Sequence, residues 1–145
     1  MNAEETLQRI PLFRGLQPKQ VKSLARWTTT RNYPAGTAIV REGQPGLGLY
    51  FIESGTVKVT QQTANGEREL RTMGPGQSFG ELSLLEDRPR TATITAMEPT
   101  TCVLLDKMQF NAELRAHPEM AIPLLHVLAG WLLEAEQREP AQAQG

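Results

Sequence analysis

A chain of 145 residues with net charge −1, 39% hydrophobic content and no marked Lys/Arg cluster has room for one packed domain. It has no electrostatic reason to bind nucleic acid or an anionic membrane. Its one cysteine, Cys102, excludes an intrachain disulfide. No apolar run approaches membrane-spanning length, and no basic-then-apolar leader opens the chain, so a soluble cytoplasmic protein is expected.

Helical spacing predicts a first helix over Ala3–Ile10, with Leu7 and Ile10 as its apolar positions. A second is predicted over Pro18–Trp27, with Val21, Leu24 and Ala25 inward and Pro18 suited to its first turn. Leu12 to Leu16 is an apolar link between them. From Asn32 to Asp106 the pattern changes to short β-like runs near Thr37–Val40, Leu49–Ser54, Thr56–Gln61, Arg68–Met73, Thr91–Ala96 and Thr100–Asp106. Glycine- and proline-rich corners separate them, and Asn65-Gly66 is a tight-hairpin signal. Many short strands with such corners predict a small barrel or jelly roll. Cys102, in TTCVLLD, reads as a small buried apolar residue rather than a reactive thiol.

Helical spacing returns after Asp106, a suitable N-cap for Lys107–Leu114. Pro118 opens a last helix running to about Gln137, and Pro123 should kink it or delay its regular start. Residues 139–145 read as a flexible polar tail. No internal repeat and no second domain are evident.

The chemistry concentrates in Phe79 to Ala96, FGELSLLEDRPRTATITA. A short helix beginning at Glu81 would leave its first backbone N–H groups open to an anion. Arg90, directly after Pro89, offers a planar fork of donors suited to phosphate oxygens. Glu81 only accepts, which suits a hydroxyl pair beside that anion. Together they suggest a sugar phosphate. The plainer alternatives are a solvated loop arginine and a carboxylate favoured by a helix start.

Phe79-Gly80-Glu81-Leu82-Ser83-Leu84-Leu85 followed by Pro89-Arg90-Thr91-Ala92-Thr93-Ile94 resembles the phosphate-binding cassette of the cyclic nucleotide-binding domain family. That family includes the catabolite activator and the regulatory subunits of protein kinase A. Arg41 to Gly46 and Leu49 to Gly55 are also typical of it, and are read here as scaffold glycine corners and strand. The resemblance covers nearly the whole chain. It implies an α+β fold: a β-jelly-roll barrel of about eight short antiparallel strands, with N-terminal helices, a hinge helix and a long C-terminal helix. The division expected is one domain over 1–138, comprising N-terminal helices 1–31, barrel 32–106 with cassette 79–93, and C-terminal helices 107–138.

By the same resemblance, Gly80, Leu82, Ser83, Arg90 and Thr91 would bind the cyclic phosphate and Glu81 the ribose. Val59, Leu70 and Thr91 would line the base pocket, although core packing explains the two apolar residues equally well. Trp131, Leu132 and Ala135 stand where relatives place a lid. Leu124, Leu128, Trp131 and Ala135, however, have near-heptad spacing that suits a partner helix, such as that of a second copy. The ligand implied is a cyclic nucleotide, cAMP as the commoner choice with cGMP left open because a hydroxyl at the place of Thr91 occurs in readers of both, and the output a moved C-terminal helix offered to an effector protein.

Enzyme readings find little support. His117 and His126 both lie in or beside the last helix, which excludes a cupin-type histidine metal site on barrel strands. No nucleophile–base–acid set appears. Transcription factors of this family add a helix-turn-helix domain after the long helix, and this chain ends about where one would begin. The expectation is therefore a sensor without direct DNA binding, with a sensor half of a longer regulator as the alternative. A degenerate barrel used only for protein contact is disfavoured, because Glu81 and Arg90 are both present.

Overall fold

A computed structural model of the chain describes residues 2–138, so the tail expected over 139–145 lies outside the described residues. Asn2 caps α1 (Ala3–Gln8) by accepting from the Glu5 N–H at 2.8 Å. A 3₁₀ turn at Pro11–Phe13 leads to α2 (Pro18–Ala25), which starts with a Gln17–Gln20 capping box. The first helix stops short of Ile10 because the residue before a proline is pushed out of the helical region; Ile10 has ψ 121°.

Among the described residues there are eight strands: β1 (Thr28–Tyr33), β2 (Ala38–Val40), β3 (Gly48–Ser54), β4 (Val57–Thr63), β5 (Gly66–Met73), β6 (Ser78–Phe79), β7 (Thr93–Ala96) and β8 (Thr100–Asp106). They form two antiparallel four-stranded sheets, ordered β1-β8-β3-β6 and β2-β7-β4-β5, in a jelly-roll sandwich. Two strands escaped the sequence reading. β1 begins before the Asn32 boundary, and as an edge strand with four exposed residues in TTTRNY it has no apolar alternation to announce it. β6 is two residues long. β7 also begins at Thr93, not Thr91.

β3 and β8 form the partition between two cores. Leu49, Phe51, Val103 and Leu105 pack against Leu7, Phe13, Leu24, Phe110 and Leu124 of the helical layer. Tyr50, Ile52, Cys102 and Leu104 face the other sheet and meet Val57, Val59 and Ile94. Burial on both faces explains why LYFI and CVLL are continuous apolar runs. Cys102 is sealed, and burial pushes its thiol pKa up to about 12, so it is inert.

Between β6 and β7 lies α3 (Glu81–Leu85), and after β8 come α4 (Lys107–Ala116), a 3₁₀ turn at Pro118–Met120, and α5 (Ala121–Arg138). Asp106 caps α4 by accepting from the Gln109 N–H at 3.1 Å. Pro123 falls in the first turn of α5, where its missing N–H has no intrahelical acceptor to lose. It therefore delays the regular helix rather than kinking it. Among the described residues, no helix is long and apolar enough to cross a membrane.

Candidate functional site

The site is assembled around α3. Its N-cap, Gly80, has φ 93°, and a Cβ there would stand 2.5 Å from the Gly48 carbonyl oxygen and 2.9 Å from Arg90 Nη1. Both the backbone angle and the space require glycine. No side chain caps α3, and its earliest N–H groups remain open as at any helix start.

Arg90 is delivered by backbone pairing with the turn before β3. Its N–H donates to the Gln44 carbonyl at 2.8 Å, and its carbonyl accepts from the Gly43 N–H at 2.8 Å. The residue is 9% exposed. Nη2 donates to the Gly48 carbonyl at 3.1 Å, and the guanidinium carbon lies 5.8 Å from the Tyr50 ring centroid. Nε is buried without a partner among the described residues. Burial lowers the Arg90 pKa, while Tyr50 and Glu81 oppose that shift; the group stays charged at neutral pH. A desolvated cation with an unused donor is an anion-seeking arrangement.

Glu81 is half-buried, and its Oε1 accepts from the Ser78 hydroxyl at 3.0 Å. Among the described residues it forms no ion pair with Arg90. Both side chains nevertheless face one cavity of about 290 Å³, near the small end of ligand pockets, which span roughly 300–1,000 Å³. Its lining includes the cassette residues Gly80, Glu81, Leu82, Ser83, Arg90 and Thr91, and the apolar strand residues Val40, Val59 and Ile94.

Leu70 does not line this cavity; it packs against the inter-sheet core. The pairing of β4 with β5 explains the difference. Val59 pairs with Arg71 and Thr60 with Glu69, so Leu70 is the extra residue of a β-bulge. Arg71 thereby stands across from Val59 and takes the cavity wall. Trp131, Leu132 and Ala135 also stay away from the cavity. Trp131 is half-buried against the helical core, whereas Leu132 is 63% exposed. Leu124 and Leu128 of the near-heptad stripe also pack inward. The exposed large apolar residues of α5 are instead Ile122, Leu125, Leu132 and Leu133.

Sequence reasoning missed Gly46, Gln44, Ser78 and Arg71. A Cβ on Gly46 would come 2.3 Å from Ser83 Oγ and 2.8 Å from Arg90 Nε, so this corner is part of the site and not merely scaffold. The signal for it was the family-like stretch Arg41 to Gly46, whose glycines read as backbone corners alone. Arg88, which also lines the cavity, is paired with Glu86 at 2.8 Å in an exposed loop.

The chain matches the family model described as cyclic nucleotide-binding domain over residues 30–117. It is 35% identical over 127 residues to a CRP-like cAMP-activated global transcriptional regulator of Mycobacterium tuberculosis, a match covering 87% of this chain and 57% of that protein. It is 39% identical over 112 residues to a cAMP-dependent protein kinase regulatory subunit of Dictyostelium discoideum, covering 74% of this chain and 34% of that one. The N-terminal domain of a transcriptional regulator from Streptomyces coelicolor A3(2) has the same fold, with a TM-score of 0.82 at 33% identity; 92% of this chain and 94% of that one are covered. The chain thus spans about a third to just over half of the two curated relatives.

Proposed function

This chain belongs to the cyclic nucleotide-binding domain family, and from that premise we propose that it is a cAMP sensor whose C-terminal helices are repositioned by the ligand. The observation that carries the reading is the buried Arg90 guanidinium with Nε unpartnered. An unsatisfied buried donor costs roughly 1–3 kcal/mol, a penalty that a cyclic phosphate would remove. Leu82 and Ser83 offer backbone N–H groups to the same phosphate, and Gly80 leaves room for it. Glu81, held by Ser78 through one oxygen, has the other for the ribose 2′-hydroxyl. The base lies toward Val59, Val40 and Ile94, with Thr91 at its edge. The cAMP named in both curated relatives supports the choice of ligand.

A second reading, cGMP, is favoured by Arg71 on the cavity wall. A guanidinium fork matches the O6 and N7 acceptors of guanine, whereas adenine presents an amino donor at that edge.

The output is a population shift of α4 and α5, available only if cAMP binds one hinge position better than the other. The moved surface would meet an effector protein or a second copy, with Ile122, Leu125 and Leu132 as the contact. A sensor half of a longer regulator remains the alternative, since the chain spans part of its relatives. DNA contact is assigned to neither case.

Calorimetry with cAMP and cGMP on the protein and on Arg90→Ala tests the reading. Expected is saturable binding that weakens by about thirty-fold or more in the variant, equivalent to roughly 2 kcal/mol. No binding of either nucleotide, or equal affinity in the variant, overturns it.

A further inference from the structure

The helical layer contains a buried carboxylate that the nucleotide site does not use. Glu113, near the end of α4, is 7% exposed and turned toward the end of α2. The Ser23 hydroxyl donates to Oε2 at 2.7 Å, and Trp27 Nε1 donates to Oε1 at 2.8 Å. Arg26 Nη2 reaches Oε1 at 3.3 Å, and its guanidinium carbon lies 5.7 Å from the Trp27 ring centroid. One carboxylate thus gathers donors from three residues of a single five-residue stretch. Trp27 chiefly, then Ser23 and Arg26, hold the Glu113 pKa below the ordinary carboxylate value against the opposing effect of burial.

A well-packed apolar side chain would fill this position at no desolvation penalty. What the carboxylate adds is direction: three hydrogen bonds fix the separation and the rotation of two helices, where an apolar contact would let them slide. The other end of α4 is tied differently. Lys107, its first residue, pairs with Asp87 in the loop between α3 and Arg90. Asp87 is largely exposed, so that pair is weak and easily exchanged with water. The start of α4 is thus joined to the cassette loop by an exposed ion pair, beside a bond from the Lys107 N–H to the Leu47 carbonyl at 2.9 Å, and its far end is held to α2 through Glu113.

We infer that Glu113 is a positioning residue that locks α4 to α2, so that the N-terminal helices travel with the hinge helix as one body. The lock stands on its own geometry; its consequence for signalling rests on the hinge movement proposed above.

Spin labels at Lys22→Cys and Arg115→Cys, both exposed in the parent, in a Cys102→Ala background, report the α2–α4 distance by electron paramagnetic resonance. A single narrow distance, unchanged by cAMP, is expected. Glu113→Ala should lose that narrow distance even without ligand, and Trp27→Phe should broaden it in the same direction. Glu113→Gln, which keeps an acceptor for the indole N–H, should recover much of it, a rescue that bulk packing alone would not produce. If Glu113→Ala does not fold, Trp27→Phe decides. The inference is overturned if either folded variant keeps the parental distance, or if cAMP shifts the parental distance. Calorimetry on the labelled protein separates the two proposals: absent cAMP binding removes the sensor reading and leaves the ligand-free comparison intact.

Discussion

Gly46 and Arg90 are packed so closely that a Cβ on the glycine would stand 2.8 Å from the arginine Nε. The same Cβ would be 2.3 Å from Ser83 Oγ, so no shift of one neighbour relieves both contacts. Gly46→Val should therefore displace the guanidinium and weaken cAMP binding by about tenfold or more, roughly 1.4 kcal/mol. Titration calorimetry beside a thermal melt checks this. Parental affinity in a folded variant would show that Arg90 does not need this corner.

Charge without the fork is a separate requirement. Arg90→Lys keeps a cation but loses Nε and the planar donor pair. Its affinity for cAMP should lie between those of the parent and Arg90→Ala, and clearly below the parent. Lysine performing as well as arginine would reduce the site to a point charge.

Glu81→Gln tests the ribose assignment. The variant should weaken cAMP more than it weakens the 2′-deoxy analogue, because only cAMP offers the hydroxyl that the carboxylate accepts. Competition binding with both nucleotides gives the ratio. Equal losses would mean that Glu81 acts through Ser78 and the cavity wall instead.

Arg71→Ala separates the two base readings. If Arg71 reads guanine, the variant loses cGMP by about 1–3 kcal/mol relative to cAMP, the range of one bidentate base contact. An unchanged cGMP-to-cAMP ratio assigns Arg71 to solvent and favours the cAMP reading.

Acid stability should reveal Glu113. Its folded pKa is depressed, so its contribution is fully present above the unfolded carboxylate value of about 4.3 and is lost as pH falls through the folded value. The excess stability of the parent over Glu113→Gln should be largest above about pH 5 and should shrink as the solution is made more acidic. Thermal melts of both proteins across that range measure it. A gap that does not vary with pH would indicate lost packing rather than lost charge.

The cassette was legible because its chemistry is local. Gly80, Glu81 and Arg90 lie within eleven residues and carry distinctive types at fixed separation, and the structure sets all three at one cavity. What stayed hidden depends on distant pairing. Leu70 and Arg71 exchange roles through a bulge that only the register of β4 against β5 defines. Gly46 matters because the Arg90 backbone crosses to Gln44, a contact between segments 46 residues apart that no local spacing announces. The face of α5 turned inward was equally hidden, since Leu124 and Leu125 are both plausible until the helix is docked on the core. The tight hairpin signalled by Asn65-Gly66 was found: Thr63 pairs with Gly66 across Ala64 and Asn65, and of these residues only Gly66 takes positive φ, 103°.

Odd-numbered side chains of β3 and β8 serve one hydrophobic interior and even-numbered ones the other, which has a consequence for how this molecule can respond to anything. A one-residue slip of either strand would exchange every occupant of both interiors at once, so the shared wall can neither ratchet nor yield gradually. If the pocket signals to the helices as proposed, the expected route runs around the rim, by way of the short segments flanking Glu81 and Lys107, rather than through this wall.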